Sequence, residues 1–199
     1  MLILAFDTSN NIVSCAILEN EKLIDKISVF ENARQAELLL PLIEEILHKN
    51  QIWYNDLDLI ATCSGPGSFT GVRIGLVVAR TIKISTNIPL ILVNSCETIA
   101  YKYRDNLGKI FVINDAKMNE FFGGEFLAQN NEIKTIREPF LISESELFDI
   151  LPKENFLLCG TAKNRLKIDS QNDEAIEADL IGLLAYKKFI NNDFPKAVG

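Results

Sequence analysis

A run of small residues, Cys63-Ser64-Gly65-Pro66-Gly67-Ser68-Phe69-Thr70-Gly71-Val72-Arg73-Ile74-Gly75, sets the tightest limit on what this chain can fold into. Residues 57–62 before it read as a strand, and residues 71–85 after it read as a helix. A strand that turns through small residues into a helix leaves free backbone N–H groups at the helix start. Such groups can hold a phosphate or pack closely against another backbone. No Lys-Ser or Lys-Thr pair follows the glycines, so the run is not a Walker loop.

The surrounding pattern is that of an α/β protein. Residues 2–6 are an unbroken apolar run, as in a strand covered on both faces, and Asp7-Thr8-Ser9-Asn10-Asn11 is a polar turn. Residues 12–18 and 22–30 complete a β-meander through a turn at Glu19-Asn20-Glu21. A helix over 32–50 follows, with Asn32 and Gln35 at capping-box spacing and Pro41 inside it. Strands at 57–63 and 89–93 and helices at 71–85 and 96–103 give the order βββαβαβα. The pattern then restarts with strands at 109–114, 120–128 and, past a turn at Asn130-Asn131, 132–137, a capping-box start at Ser143 to Glu146 for a short helix through Leu151, a strand at 156–159 and a final helix at 178–191. Both meanders place an aspartate after their first strand, Asp7 and Asp115. Two like halves point to the actin, sugar-kinase and Hsp70 class of α/β fold, with lobes at 1–104 and 105–199.

Composition excludes several functions. A net charge of -7 argues against direct nonspecific nucleic-acid binding, which needs a basic footprint. One histidine, His48, and the dispersed Cys15, Cys63, Cys96 and Cys159 offer no ordinary zinc set. Those cysteines read as small buried hydrophobes in a reducing cytosol. There is no secretory leader pattern and no apolar stretch of about 20 residues, so the expected location is the cytoplasm, away from membranes. No Gly-x-Ser-x-Gly elbow is present, and no catalytic residue, metal or cofactor is expected. Asp7, Thr8 and Ser9 are weak phosphate- or Mg²⁺-binding candidates, and a turn in which Asp7 accepts local N–H bonds explains them as well.

The helices are wider in their apolar arcs than one sheet contact requires. On the first, the apolar positions from Leu38 to Leu47 spread over roughly 200°. On the second, Arg73, Arg80 and Lys83 cluster within roughly 80° of an otherwise apolar surface. A protein–protein interface is therefore expected on Leu38, Leu39, Leu42, Ile43 and Ile46 with Val72, Arg73, Leu76, Ala79 and Arg80.

Residues 64–75 resemble the signature of the TsaB (YeaZ) family. Residues 3–9, Leu39-Leu40-Pro41-Leu42-Ile43, residues 89–93 and Asp115-Ala116-Lys117-Met118-Asn119-Glu120 agree with it, and the likeness is strong to about residue 126. The resemblance implies an actin-like ATPase (ASKHA, ribonuclease H-like) fold of two similar βββαβα-type lobes, the second trimmed, with a degenerate phosphate loop at Asp7, Thr8 and Ser9. It implies a noncatalytic subunit for threonylcarbamoyladenosine synthesis in tRNA, partnered by the catalytic paralogue TsaD and the ATPase TsaE and meeting tRNA only through the complex. Self-association through the same helices is also expected. The paralogue's His-x-Glu-Gly-His motif falls on Ser95 to Ile99, where only Glu97 matches. Serine is a poor transition-metal ligand and isoleucine is none, so the chain resembles a pseudoenzyme. The alternative is a small-molecule kinase or phosphotransferase of the same fold, with Asp7 and Asp115 holding Mg-ATP.

Overall fold

The structure, a computed structural model, describes residues 1–31, 33–117, 119–151, 155–166 and 176–193, with the backbone alone at Lys117, Lys163 and Asn164. It divides into two compact units, Met1–Val93 with the described residues from Ile176 on, and the described residues of Asn94–Ala175.

The first unit holds β1 (Leu2–Asp7), β2 (Ile12–Glu19), β3 (Lys22–Phe30), α1 (Gln35–Lys49), β4 (Leu59–Cys63), α2 (Phe69–Thr86) and β5 (Leu90–Val93). Its sheet runs β3-β2-β1-β4-β5, with β1 antiparallel to β2 and parallel to β4. The apolar run of β1 does what its pattern demands. Leu4 and Phe6 join Val13, Cys15, Ile17 and Ile60 in the core under α1 and α2. Ala5 points the other way, because side chains alternate along a strand. There it meets the C-terminal helix α6 (Ala178–Ile190), where a Cβ on Gly182 would lie 2.3 Å from Leu18 Cδ1 and 3.3 Å from Ala5 Cβ. Burying one such side chain as large as Leu4 or Phe6 stabilises the fold by roughly 1.5–3 kcal/mol.

The N-terminus of α6 is fixed by polar contacts from the meander. Ser14 Oγ accepts from Ala178 N at 3.0 Å, Asn10 Nδ2 donates to Ile176 O at 3.0 Å, and Lys26 pairs with Glu177 at 3.0 Å. The expected Asn32–Gln35 capping box does not describe α1. Asn32 lies outside the described residues, and Gln35 is the first helical residue, behind an Arg34 N-cap that has no side-chain bond. Pro41 is exposed on α1, which continues across it.

The second unit begins with α3 (Ser95–Lys102) and repeats the meander in β6 (Gly108–Lys117), β7 (Glu120–Gln129) and β8 (Glu132–Ser143). Then come α4 (Glu144–Ile150), β9 (Phe156–Cys159) and the short α5 (Lys163–Leu166). Its sheet runs β8-β7-β6-β9, and β9 is parallel to β6 as β4 is to β1. Asn130 and Asn131 both take positive φ (55° and 60°), the tight hairpin geometry expected between the last two meander strands. α4 starts on the predicted Ser143–Glu146 capping box. Phe111, Ile113, Phe121, Ile142, Leu147 and Ala162 form a core on one face of this sheet.

Three sequence expectations change. The strand expected to stop at Arg137 runs on through Pro139 to Ser143, because β8 is an edge strand and tolerates proline. The helix after β5, expected in the first lobe, belongs to the second unit, and the final helix, expected in the second lobe, packs on the first sheet. A single boundary at 104/105 is thus replaced by a crossing of the chain near residue 94 and a return near 176. No described helix is long and apolar enough to cross a membrane.

Candidate functional site

The signature run and the end of β1 form one tightly closed unit. Asp7, Thr8 and Ser9 are 1%, 1% and 3% exposed. Asp7 Oδ2 accepts three bonds from its own turn: Ser9 N at 3.1 Å, Ser9 Oγ at 2.9 Å and Asn10 Nδ2 at 2.9 Å. Burial pushes the Asp7 carboxyl up to about 7, although the Ser9 bonds pull it down.

The glycines explain why the loop lies here. A Cβ on Gly71 would sit 1.9 Å from Thr8 O, and one on Gly67 would sit 2.7 Å from Ser9 O. One on Gly75 would meet Thr62 Oγ1 and Thr8 Oγ1 at 3.0 and 3.1 Å. Ser68 N donates to Ser9 O at 2.8 Å, Thr8 Oγ1 donates to Gly71 O at 2.7 Å, and Gly71 N reaches Ser68 Oγ at 3.3 Å. Of the two uses open to a strand–loop–helix of small residues, close backbone packing is the one built. Two of the N–H groups near the start of α2 that would face a phosphate, those of Ser68 and Gly71, already have partners within the chain.

The second aspartate is engaged differently. Asp115 pairs with Arg165 at 3.2 Å, and Arg165 also reaches Glu144 at 2.7 Å and Asn119 Oδ1 at 2.8 Å, 4.7 Å over the Phe121 ring. On α3, Ser95 and Ile99 are one turn apart and both buried, and Glu97 is half-buried. His48 is exposed in the last turn of α1. The four cysteines are free thiols, all buried, and burial pushes Cys96 up to about 12.

The expected interface residues separate into two groups. Leu39, Ile43, Ile46 and Ala79 are fully buried and Leu42 is 7% exposed, so these five cover the sheet of their own unit. They are corrected from interface to core. Leu38, Val72 and Leu76 are half-buried, and Arg73 and Arg80 are exposed. The sequence reading missed the residues that carry the exposed apolar surface: Phe69 (70%), Val77 (64%) and Ile84 (79%) on α2, and Leu40 (48%) on α1. A shallow groove beside them is lined by Ala36, Phe69, Arg73, Ile74, Val77 and Val78. A signal for this was present. Cations mark the side of a helix that faces water, and at ~100° per residue Phe69, Val77 and Ile84 fall in the same outward arc as Arg73 and Arg80.

The model of the TsaD family, tRNA N6-adenosine threonylcarbamoyltransferase, matches residues 31–176. The tRNA threonylcarbamoyladenosine biosynthesis protein TsaB of Bacillus subtilis is 32% identical over 68% of this chain, which spans 59% of that relative's length. TsaB of Buchnera aphidicola subsp. Schizaphis graminum is 30% identical over 83% of this chain and 81% of its own. Among solved structures, YeaZ from Pseudomonas aeruginosa superposes with a TM-score of 0.81 at 22% identity, covering 98% of this chain and 95% of that one. That likeness shows a shared fold and agrees with the two-sheet α/β architecture expected above. From the coverage of the TsaD model and of the Buchnera relative, the chain belongs to the TsaB family, within the wider group that the TsaD model describes.

Proposed function

We propose that the chain is a noncatalytic subunit that docks on TsaD through the outer face of α1 and α2. In this role it supports transfer of threonylcarbamoyl from threonylcarbamoyl-AMP to adenosine 37 of tRNA. TsaE is a further partner, tRNA is met through the complex, and the setting is the cytoplasm.

The observation that carries this reading is the closed signature loop. Gly67 and Gly71 seat the loop on the Thr8 and Ser9 carbonyls, and Asp7 is bonded within its own turn. Those contacts favour a loop that sets the position of α2 over one that takes a phosphate. The exposed Phe69, Val77 and Ile84 then supply apolar surface for a partner helix. The Ser95 and Ile99 side chains support a noncatalytic role, since neither is a transition-metal ligand of the histidine type.

The test is reconstitution from purified TsaD, TsaE, tRNA and the enzyme that makes threonylcarbamoyl-AMP, with and without this chain. Modified adenosine should form only when the chain is present, and the chain should form none without TsaD. Equal product in its absence overturns the reading.

A further inference from the structure

The outer face of α2 carries a charge pattern opposite to that of the whole chain. The net charge is -7, yet α2 contains no carboxylate, and Arg73, Arg80 and Lys83 sit among Phe69, Val77 and Ile84. None of the three cations pairs with a carboxylate among the described residues. Arg73 lies instead over the Phe69 ring, 3.5 Å from its centroid. Several cations elsewhere are neutralised: Lys26 by Glu177 and Asp179, Lys49 by Asp25, Arg34 by Glu37, and Arg165 by Asp115 and Glu144. In a chain with surplus carboxylate, unpaired cations gathered on one apolar stripe remain available to an outside group.

Building on the pairing with TsaD argued above, we propose that this face receives an apolar helix surface rimmed by carboxylates. Its charge selects a different chain over a second copy of this one. Two features disfavour the copy. Among the apolar residues of α1 and α2, the most exposed (Ile84, Phe69 and Val77) lie on α2, so a two-fold contact centred there sets Arg73 and Arg80 against their own equivalents. Two of the three carboxylates of α1 are also engaged: Glu37 pairs with Arg34 at 3.0 Å, and Glu44 accepts from Tyr54 Oη at 3.0 Å. Cations on the rim of an apolar patch raise the association rate and fix register, and salt screens both effects. An arginine beside an exposed phenylalanine also suits RNA bases, but Val77 and Ile84 offer apolar surface that RNA phosphates do not cover.

The experiment titrates purified TsaD with the full chain and with Arg73→Glu/Arg80→Glu, Arg73→Gln/Arg80→Gln and Val77→Asp, at low and high salt. Each variant is checked for native thermal unfolding. Charge reversal should weaken binding by roughly tenfold or more at low salt, the neutral pair less, and the gap should narrow at high salt. Loss of binding in Val77→Asp with no effect of charge reversal overturns this inference and leaves the docking face standing. No effect of any variant overturns the docking reading as well. Two further results overturn the inference: a self-dimer tighter than the TsaD complex and broken by the reversal, or tRNA binding lost on reversal while TsaD binding holds.

Discussion

Asp7 ends β1 and Asp115 falls near the end of β6, at matching places in two meanders of the same topology, yet the two acids are held by opposite means. Asp7 is buried, forms no ion pair among the described residues, and rests on the neutral donors of Ser9 and Asn10. Asp115 keeps 18% of its side-chain surface and sits against the Arg165 guanidinium. In both units a glycine beyond the parallel strand, Gly71 in the first turn of α2 and Gly160 directly after β9, comes close to the first strand or its end. A Cβ on Gly71 would strike Thr8 O at 1.9 Å, and one on Gly160 would strike Ile113 O at 2.1 Å. The comparison separates what the repeated backbone imposes from what it leaves free. Close approach of the loop to the first strand recurs because the topology needs it. The chemistry of the aspartate does not recur.

The largest effect should come from filling that shared approach. Gly71→Ala sets a methyl group on a backbone oxygen that cannot move aside, and a loss of roughly 4–5 kcal/mol in urea unfolding is expected. Gly160→Ala should behave alike, with φ of +114° adding strain. A loss under about 1 kcal/mol at both sites would show that the approach is slack.

Next is the pH response of Asp7. Burial raises Asp7 from 3.8 to about 7, so the folded state holds a proton that the unfolded chain releases. Stability linked to Asp7 is therefore full below pH ~4, falls between pH ~4 and ~7, and stays low above; over that span the loss is about 4 kcal/mol. Asp7→Asn should remove this slope and leave the protein more stable than the parent at pH 8. An unchanged slope in unfolding measured from pH 4 to 8 would place the titration elsewhere.

A smaller effect is expected in the second unit. Arg165→Ala leaves Asp115 and Glu144 without their shared cation and should cost about 1 kcal/mol, less at high salt, because the pairs keep solvent contact. Smallest of all, calorimetry with Mg-ATP should show no binding heat, and a heat that Asp7→Ala removes would revive the kinase alternative.

Much of the fold was legible because its signals are local. The apolar run at residues 2–6, the asparagine turns, the capping box at Ser143 and the small-residue run before α2 each follow from a few neighbouring residues. What was not legible depends on residues far apart in sequence. The placement of α3 and α6 turns on which sheet each helix meets, as when Gly182 approaches Leu18 and Ala5. The short α5 has too few residues for a periodic pattern. At the site, the width of the apolar arcs on α1 and α2 was right, but width alone does not orient a helix. Leu39 and Ile43 therefore seemed available to a partner when they fill the core, and Phe69 and Val77 went unnoticed on the outer face.

The central claim is that the outer face of α2 does the work and the turn at Asp7, Thr8 and Ser9 does not. It is tested most directly by the rate of adenosine modification in the reconstituted system with two variants side by side. Phe69→Ser/Val77→Ser should unfold like the parent and support little or no modification, while Asp7→Asn should support modification at the parent rate. A face variant that works normally beside an inactive Asp7→Asn would contradict the account.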